Sequence, residues 1–269
     1  MRYPGLICMA FFVLASPLTA QPPMPVAPPS SARLDQLLNA WEQRMSSVEN
    51  LSTKCSRTDV HPLTKKQTTF VGDAALMKPN MAKIDLTHQD EVGKQDVEKV
   101  NFERMFCNGQ YIYEYSPKDK LIIIHDIPKN DPTSDNMILA FLRGMKADDA
   151  KKRFNMSVSK ETEWYAYLLI QPKSEFDKQE FSAAQLTIWL KNPNPQGQPN
   201  LMMMPARLWY RQPNGKEVTY LFSELQPNGK LDKTAFVPRQ IQGYTVKRAS
   251  DAVQPPPMPM PMGSKTVRP

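Results

Sequence analysis

The chain has 269 residues, with 34 lysines and arginines against 27 aspartates and glutamates, a net charge of +7 and three cysteines. So mild a basic excess, with no basic cluster interleaved with base-stacking aromatics, excludes a nucleic-acid partner. It leaves room for peripheral contact with an anionic membrane or an acidic protein.

The first twenty residues resemble a secretory signal peptide: Arg2 is the basic start, residues 6–14 form an apolar run, and small residues lead to Ala20. That run is too short to span a bilayer. Cys8 lies too early to anchor a lipoprotein and lacks a small-residue box before it. The expected product is exported, periplasmic or secreted, soluble and monomeric, with 33 basic against 27 acidic residues once Arg2 is lost. Residues 21–30 form a stiff proline-rich linker, and residues 252–269 a disordered tail in which Met258, Met260 and Met262 alternate with prolines. Residues 31–251 form one domain.

Within that domain Ser31 is placed to cap a helix, and Leu34, Leu37, Leu38, Trp41, Met45 and Val48 recur on one stripe. Alternation then predicts strands over 51–60, 67–77 and 81–87, the last with Ala82, Ile84 and Leu86 opposite Lys83, Asp85 and Thr87. A polar loop over 89–94 leads into three strands over 102–126. Asn108-Gly109 marks the first hairpin there, and residues 116–120 the second turn. Tyr111, Tyr113 and Tyr115 share one face, with Ile112 and Glu114 on the other. Because Glu114 is costly to bury unpaired, the tyrosine face is expected to point inward.

Ser134 is placed to cap a helix carrying Met137, Ile138, Phe141 and Leu142, broken by Gly144 before a strongly charged continuation over 146–153. Strands resume over 155–160, 164–171, 184–190, 205–210, 217–224 and 243–247, with turns at Asn214-Gly215 and Asn228-Gly229. Ten or so strands in meander order exclude a parallel α/β sheet. The expected class is α+β and mostly antiparallel: a large curved sheet, or half-open barrel, covered by helices. Cys55 and Cys107 fall in strands, where they either pair, if their strands are neighbours, or remain buried thiols.

Met77-Lys78-Pro79-Asn80-Met81-Ala82-Lys83-Ile84, the stretch from Asn108-Gly109 through Tyr115-Ser116-Pro117, and Asn228-Gly229-Lys230-Leu231-Asp232 with Phe236 appear in that order. This set resembles the LolA-like periplasmic lipoprotein-carrier family over nearly all of the globular part. The run from Phe141 to Ala147 with residues 150–154 is also similar to a set of uncharacterised secreted planctomycete proteins. The family resemblance implies an apolar chamber between sheet and helices that receives a lipid or the acyl chain of a lipoprotein. Its walls would be Ala82, Ile84, Leu86, Tyr111, Tyr113 and Tyr115 on the sheet, facing Met137, Ile138, Phe141 and Leu142 on the helix. Lys78 stands where the family has a latch arginine, and lysine lacks the planar fork that bonds several carbonyls at once.

His61, His88 and His125 form no metal-spaced pair, and no Gly-x-Ser-x-Gly, phosphate loop or paired nucleophile and base is present. A non-enzymatic binding protein without cofactor is therefore expected. The alternative is an envelope protein-interaction or sensor module on the same fold. Copper held by Met202-Met203-Met204 and the methionine-rich tail is a third reading.

Overall fold

Short turns join most successive strands, and a chain that turns back at once can only pair antiparallel with the strand it has left. The computed structural model describes residues 31–93, 102–127, 144–194 and 199–250. In chain order these residues form α1 (Ser31–Ser46), β1 (Asn50–Val60), β2 (Gln67–Met77), β3 (Met81–His88), β4 (Phe102–Asn108), β5 (Tyr111–Ser116) and β6 (Leu121–Asp126). After these come α2 (Ala147–Arg153), β7 (Phe154–Glu161), β8 (Tyr165–Pro172), α3 (Glu175–Glu180), β9 (Ala183–Trp189), β10 (Pro205–Arg211), β11 (Glu217–Pro227) and β12 (Thr245–Arg248). Short 3-10 turns occupy Gln89–Glu91 and Lys233–Phe236.

All twelve strands lie in one sheet of order β12-β6-β5-β4-β3-β2-β1-β11-β10-β9-β8-β7. Two meanders stand side by side, β1 to β6 running one way and β11 back to β7 the other, and they meet where β1 pairs with β11. The end strands β7 and β12 do not pair with each other, so the sheet stays open. The expected α+β, mostly antiparallel open sheet is what forms. The last strand departs from it: β12 runs parallel to β6, because residues 228–244 cross back over the sheet before it starts.

α1 lies on the inner face. Its stripe of Leu37, Leu38, Trp41 and Met45 is buried in one cluster with Leu51, Leu168, Ile170, Leu186, Leu208 and Phe222. Polar ties fix the helix at its flanks. Arg33 reaches Glu161 on β7 at 2.8 Å, Lys151 on α2 reaches Asp35 at 2.9 Å, and Glu42 accepts a hydrogen bond from the backbone N–H of Ala147 at 2.9 Å. That last contact satisfies one of the free donors at the start of α2. Asp148 and Asp149 in the first turn of α2, with Lys151, Lys152 and Arg153 in the last, complement its dipole.

α3 has no counterpart among the elements expected from the sequence. Ser174 caps it by accepting from the Asp177 N–H at 3.0 Å, a serine-x-x-acid signature visible in Ser174-Glu175-Phe176-Asp177. Asp177 is buried and receives Arg153 Nε at 3.0 and 3.1 Å and the Ser174 hydroxyl at 2.7 Å. Met202, Met203 and Met204 sit in three environments, exposed, packed against the core and fully buried. The tail methionines lie outside the described residues.

Cys55 and Cys107 are both buried free thiols. They stand on β1 and β4, with β2 and β3 between them, and Cys107 is level with Leu51, four residues along β1 from Cys55, so the two lie beyond disulfide reach. Burial pushes the Cys55 thiol up to about 12 against the opposing pull of Arg57, and Cys107 donates to the Asn80 carbonyl at 2.8 Å.

Candidate functional site

Register decides what faces the interior. Ala82, Ile84 and Leu86 pair with Cys107, Met105 and Glu103, and Cys107 and Met105 pair in turn with Ile112 and Glu114. Ile112 and Glu114 therefore share the inner face with Ala82, Ile84 and Leu86, while Tyr111, Tyr113 and Tyr115 point to the other side of the sheet. The tyrosine stripe is not part of an inner chamber. Tyr115 belongs to a separate outer cluster with Phe102, Phe106 and Ile122, against which Tyr113, Ile241 and Tyr244 pack. Residues 228–244 cover that cluster: Tyr244 stacks on Phe102 at 6.3 Å, and the Tyr115 hydroxyl donates to the Arg239 carbonyl at 2.6 Å. Glu114 escapes the cost of burial because it remains 59% exposed and meets His125 at 3.1 Å. This part of the sheet is apolar on both faces, so alternation alone could not say which face was inner.

Ala82, Ile84 and Leu86 are on the inner face as expected, but they are fully buried in the main core. Met137, Ile138, Phe141 and Leu142 lie outside the described residues. Lys78, by contrast, stands at the edge of an apolar cavity of about 360 Å³ between the end of α1 and the near ends of β1, β2 and β3. Met45, Leu51, Leu76, Met77 and Met81 form its apolar walls, and Gly144 closes one side. The methionines beside the Lys78-Pro79 turn and at the end of the α1 stripe were visible in the sequence, although nothing there showed that they converge.

Lys78 Nζ donates to the Ser46 carbonyl in the last turn of α1 at 2.7 Å and lies 3.5 Å from Glu49 Oε1. Its backbone N–H donates to the Glu49 carbonyl at 2.9 Å. A cation at a helix C-terminus satisfies a free carbonyl and complements the dipole. Asn228 holds the same link from the opposite side. Its Oδ1 accepts from the Glu49 N–H at 2.7 Å and its Nδ2 donates to the Ser47 carbonyl at 3.0 Å. Its φ of 57° aims the side chain there, which gives the Asn228-Gly229 turn a physical role. Lys78 and Asn228 thus pin the α1–β1 connection over the cavity.

Gly144 approaches α1 too closely for a side chain. A Cβ there would lie 2.2 Å from Met45 Cβ, and the residue's φ is +80°, in the left-handed region. Gly144→Ala is expected to lower stability by about 1 to 3 kcal/mol, as overpacking and backbone strain combine. Thermal unfolding checks this, and an unchanged midpoint would show that Met45 moves aside freely.

At the far end of the strands the inner face turns polar, which the sequence reading missed. Arg57 bonds Asp59 through Nε at 2.7 Å and Nη2 at 3.0 Å, and also pairs with Glu103. Lys216 reaches Asp59 at 2.6 Å, and the guanidinium lies 5.8 Å from the ring centres of both Phe70 and Tyr220. Burial raises the hydroxyl pKa values of Tyr210 and Tyr220, with Arg57 opposing the shift in each. The available signal was Arg57 and Asp59 two apart on the face that carries Thr53 and Cys55.

No protein-family model and no curated protein matches the chain. Solved structures similar to it include a DUF1329 family protein from Desulfovibrio piger, at TM-score 0.38 and 9% identity over 77% of this chain and 96% of that one. A LolA superfamily protein from Nitrosomonas europaea gives TM-score 0.38 and 7% identity over 76% and 97%. The lipoprotein LppX of Mycobacterium tuberculosis gives 0.31 and 13% over 76% and 100%. At scores and identities this low, ligand and partner are read from the chain's own residues. None of these matches supports the likeness to secreted planctomycete proteins.

Proposed function

We propose that the chain is an exported, non-enzymatic protein that holds an acyl chain, from a lipid or a lipid-modified protein, in the cavity beneath the α1–β1 link. The observation that supports this reading is the cavity itself. Its volume of about 360 Å³ falls in the range of small-molecule sites, and its walls are largely methionine and leucine. Methionine repacks readily around chains of differing shape. Each methylene taken from water contributes about 0.8 kcal/mol, so a chain binds there without a specific polar partner. Lys78 stands where the head group of such a ligand would emerge.

Displacement of a fluorescent fatty acid from detergent-free protein tests this. Wild type is expected to bind the probe, and Met81→Asp, which sets a carboxylate in the apolar wall, to weaken binding at least about tenfold. Lys78→Ala is expected to alter preference among anionic, neutral and cationic head groups more than overall affinity. If wild type binds no acyl probe, or Met81→Asp binds equally well, lipid carriage fails and a protein-docking role replaces it.

A further inference from the structure

A second cavity, of about 490 Å³, lies at the opposite end of the strands from Lys78. Leu51 lines the first and Arg57 the second, six positions along β1 or roughly 20 Å at the rise of an extended strand. Buried Thr53 and Cys55 stand between them on β1 and buried Ala74 on β2, so the two are separate sites.

Arg57, Glu103, Arg104, Glu114, Gln212 and Tyr210 are among the residues that line the second cavity. The charges compensate each other. Arg57 is occupied by Asp59 and Glu103, Lys216 by Asp59, and Arg104 by Asp85 at 2.8 Å. An anionic ligand would meet the carboxylates of Glu103 and Glu114, and a cationic one the guanidinium of Arg57; the Arg104 guanidinium lies over Phe102 and Tyr115 on the other side of the sheet. Neither gains a net attraction. Hydrogen-bonding capacity is what remains: Glu114 is 59% exposed, and the Tyr220 hydroxyl lies a long 3.5 Å from Glu103 Oε1. Gln212 adds both a donor and an acceptor at the rim.

We propose that this cavity binds a neutral, hydroxyl-rich group, a sugar either free or carried as the head of a glycolipid. Hydroxyls both donate and accept, so one such group satisfies the spare carboxylate oxygens and the Gln212 amide together without the desolvation penalty of an ion. Buried Tyr210 and Phe70 supply apolar surface beside these polar groups, against which the C–H face of a sugar ring packs. The inference does not depend on the acyl cavity, whose ligand is read out by Met81.

The test is an NMR titration of the full chain with methyl glucoside, galactoside and mannoside, with octyl glucoside below its micelle concentration, and with tetramethylammonium and methyl phosphate as charged controls. At least one glycoside is expected to shift resonances of Glu114 and Gln212 saturably, and both charged probes to bind at least about tenfold more weakly. Similar affinities for methyl and octyl glucosides indicate a free sugar, and clearly tighter octyl binding a lipid-borne one. Glu114→Ala and Gln212→Ala, neither at a buried position, are expected to keep the unfolding midpoint and to lose about tenfold in glycoside affinity, the scale of one hydrogen bond to a charged group. Three results would each overturn the proposal: no saturable shift with any glycoside, a charged probe binding as tightly, or wild-type affinity in both variants.

Discussion

Trp41→Ala is expected to lower the free energy of unfolding by about 3 to 5 kcal/mol, the range for truncating a large buried aromatic. Trp41 is fully buried on α1, between Leu37 and Leu38 on one side and Met45 on the other. It joins the helix to the sheet in the main hydrophobic cluster of the described residues. Removing the indole forfeits its transfer free energy and leaves a void that strands fixed by hydrogen bonds on both sides cannot collapse to fill. The measurement is the denaturant midpoint at an unchanged slope, so that the loss is assigned to the folded state. A change below about 1 kcal/mol would mark α1 as a loosely held cover.

The second large effect is expected at Asp177. Its side chain is 2% exposed and that of Arg153 11%, so Asp177→Ala leaves a guanidinium buried without its carboxylate, at a cost of about 3 to 5 kcal/mol. Burial raises the Asp177 pKa, but hydrogen bonds from Arg153 and Ser174 outweigh it and hold the carboxyl below the ordinary carboxylate range. A depressed folded-state pKa contributes stability that is complete above the unfolded value, about 3.9, and is lost as pH falls through the folded one. Wild type should therefore lose stability below about pH 4 more steeply than Asp177→Ala, as unfolding midpoints across that range will show. Parallel acid profiles for the two proteins would mean that the pair contributes by packing alone.

Much of the strand pattern was legible because its signals are local. Asn108-Gly109 turned the chain between β4 and β5, and the spacing of Leu37, Leu38, Trp41 and Met45 placed one buried face on α1. Alternation of Ala82, Ile84 and Leu86 identified a single buried face on β3, and that face is the inner one. Lys78 was singled out by the resemblance of its lysine-proline turn to the carrier family's, and it lines the cavity at the end of α1 and bonds the Ser46 carbonyl.

What the sequence by itself determined was which residues must leave water; which of them meet was decided only by the tertiary structure. Tyr111, Tyr113 and Tyr115 alternate as clearly as Ala82, Ile84 and Leu86. They lie on the opposite face, where the chain after β11 crosses over and packs Ile241 and Tyr244 on the cluster that holds Tyr115 and Tyr113. Strand periodicity specifies two faces but does not say which one a distant segment will cover. The cavity at Lys78 has the same origin, since Met45, Leu51, Met77 and Met81 come from a helix and three strands and meet through packing alone. Arg57, Asp59, Glu103 and Lys216 likewise stand on or beside three strands, β1, β4 and β11, and their charges compensate only once the sheet sets β1 against β11 and brings β4 round through β2 and β3. Long-range pairing made those neighbours, and no local pattern of residues encodes it.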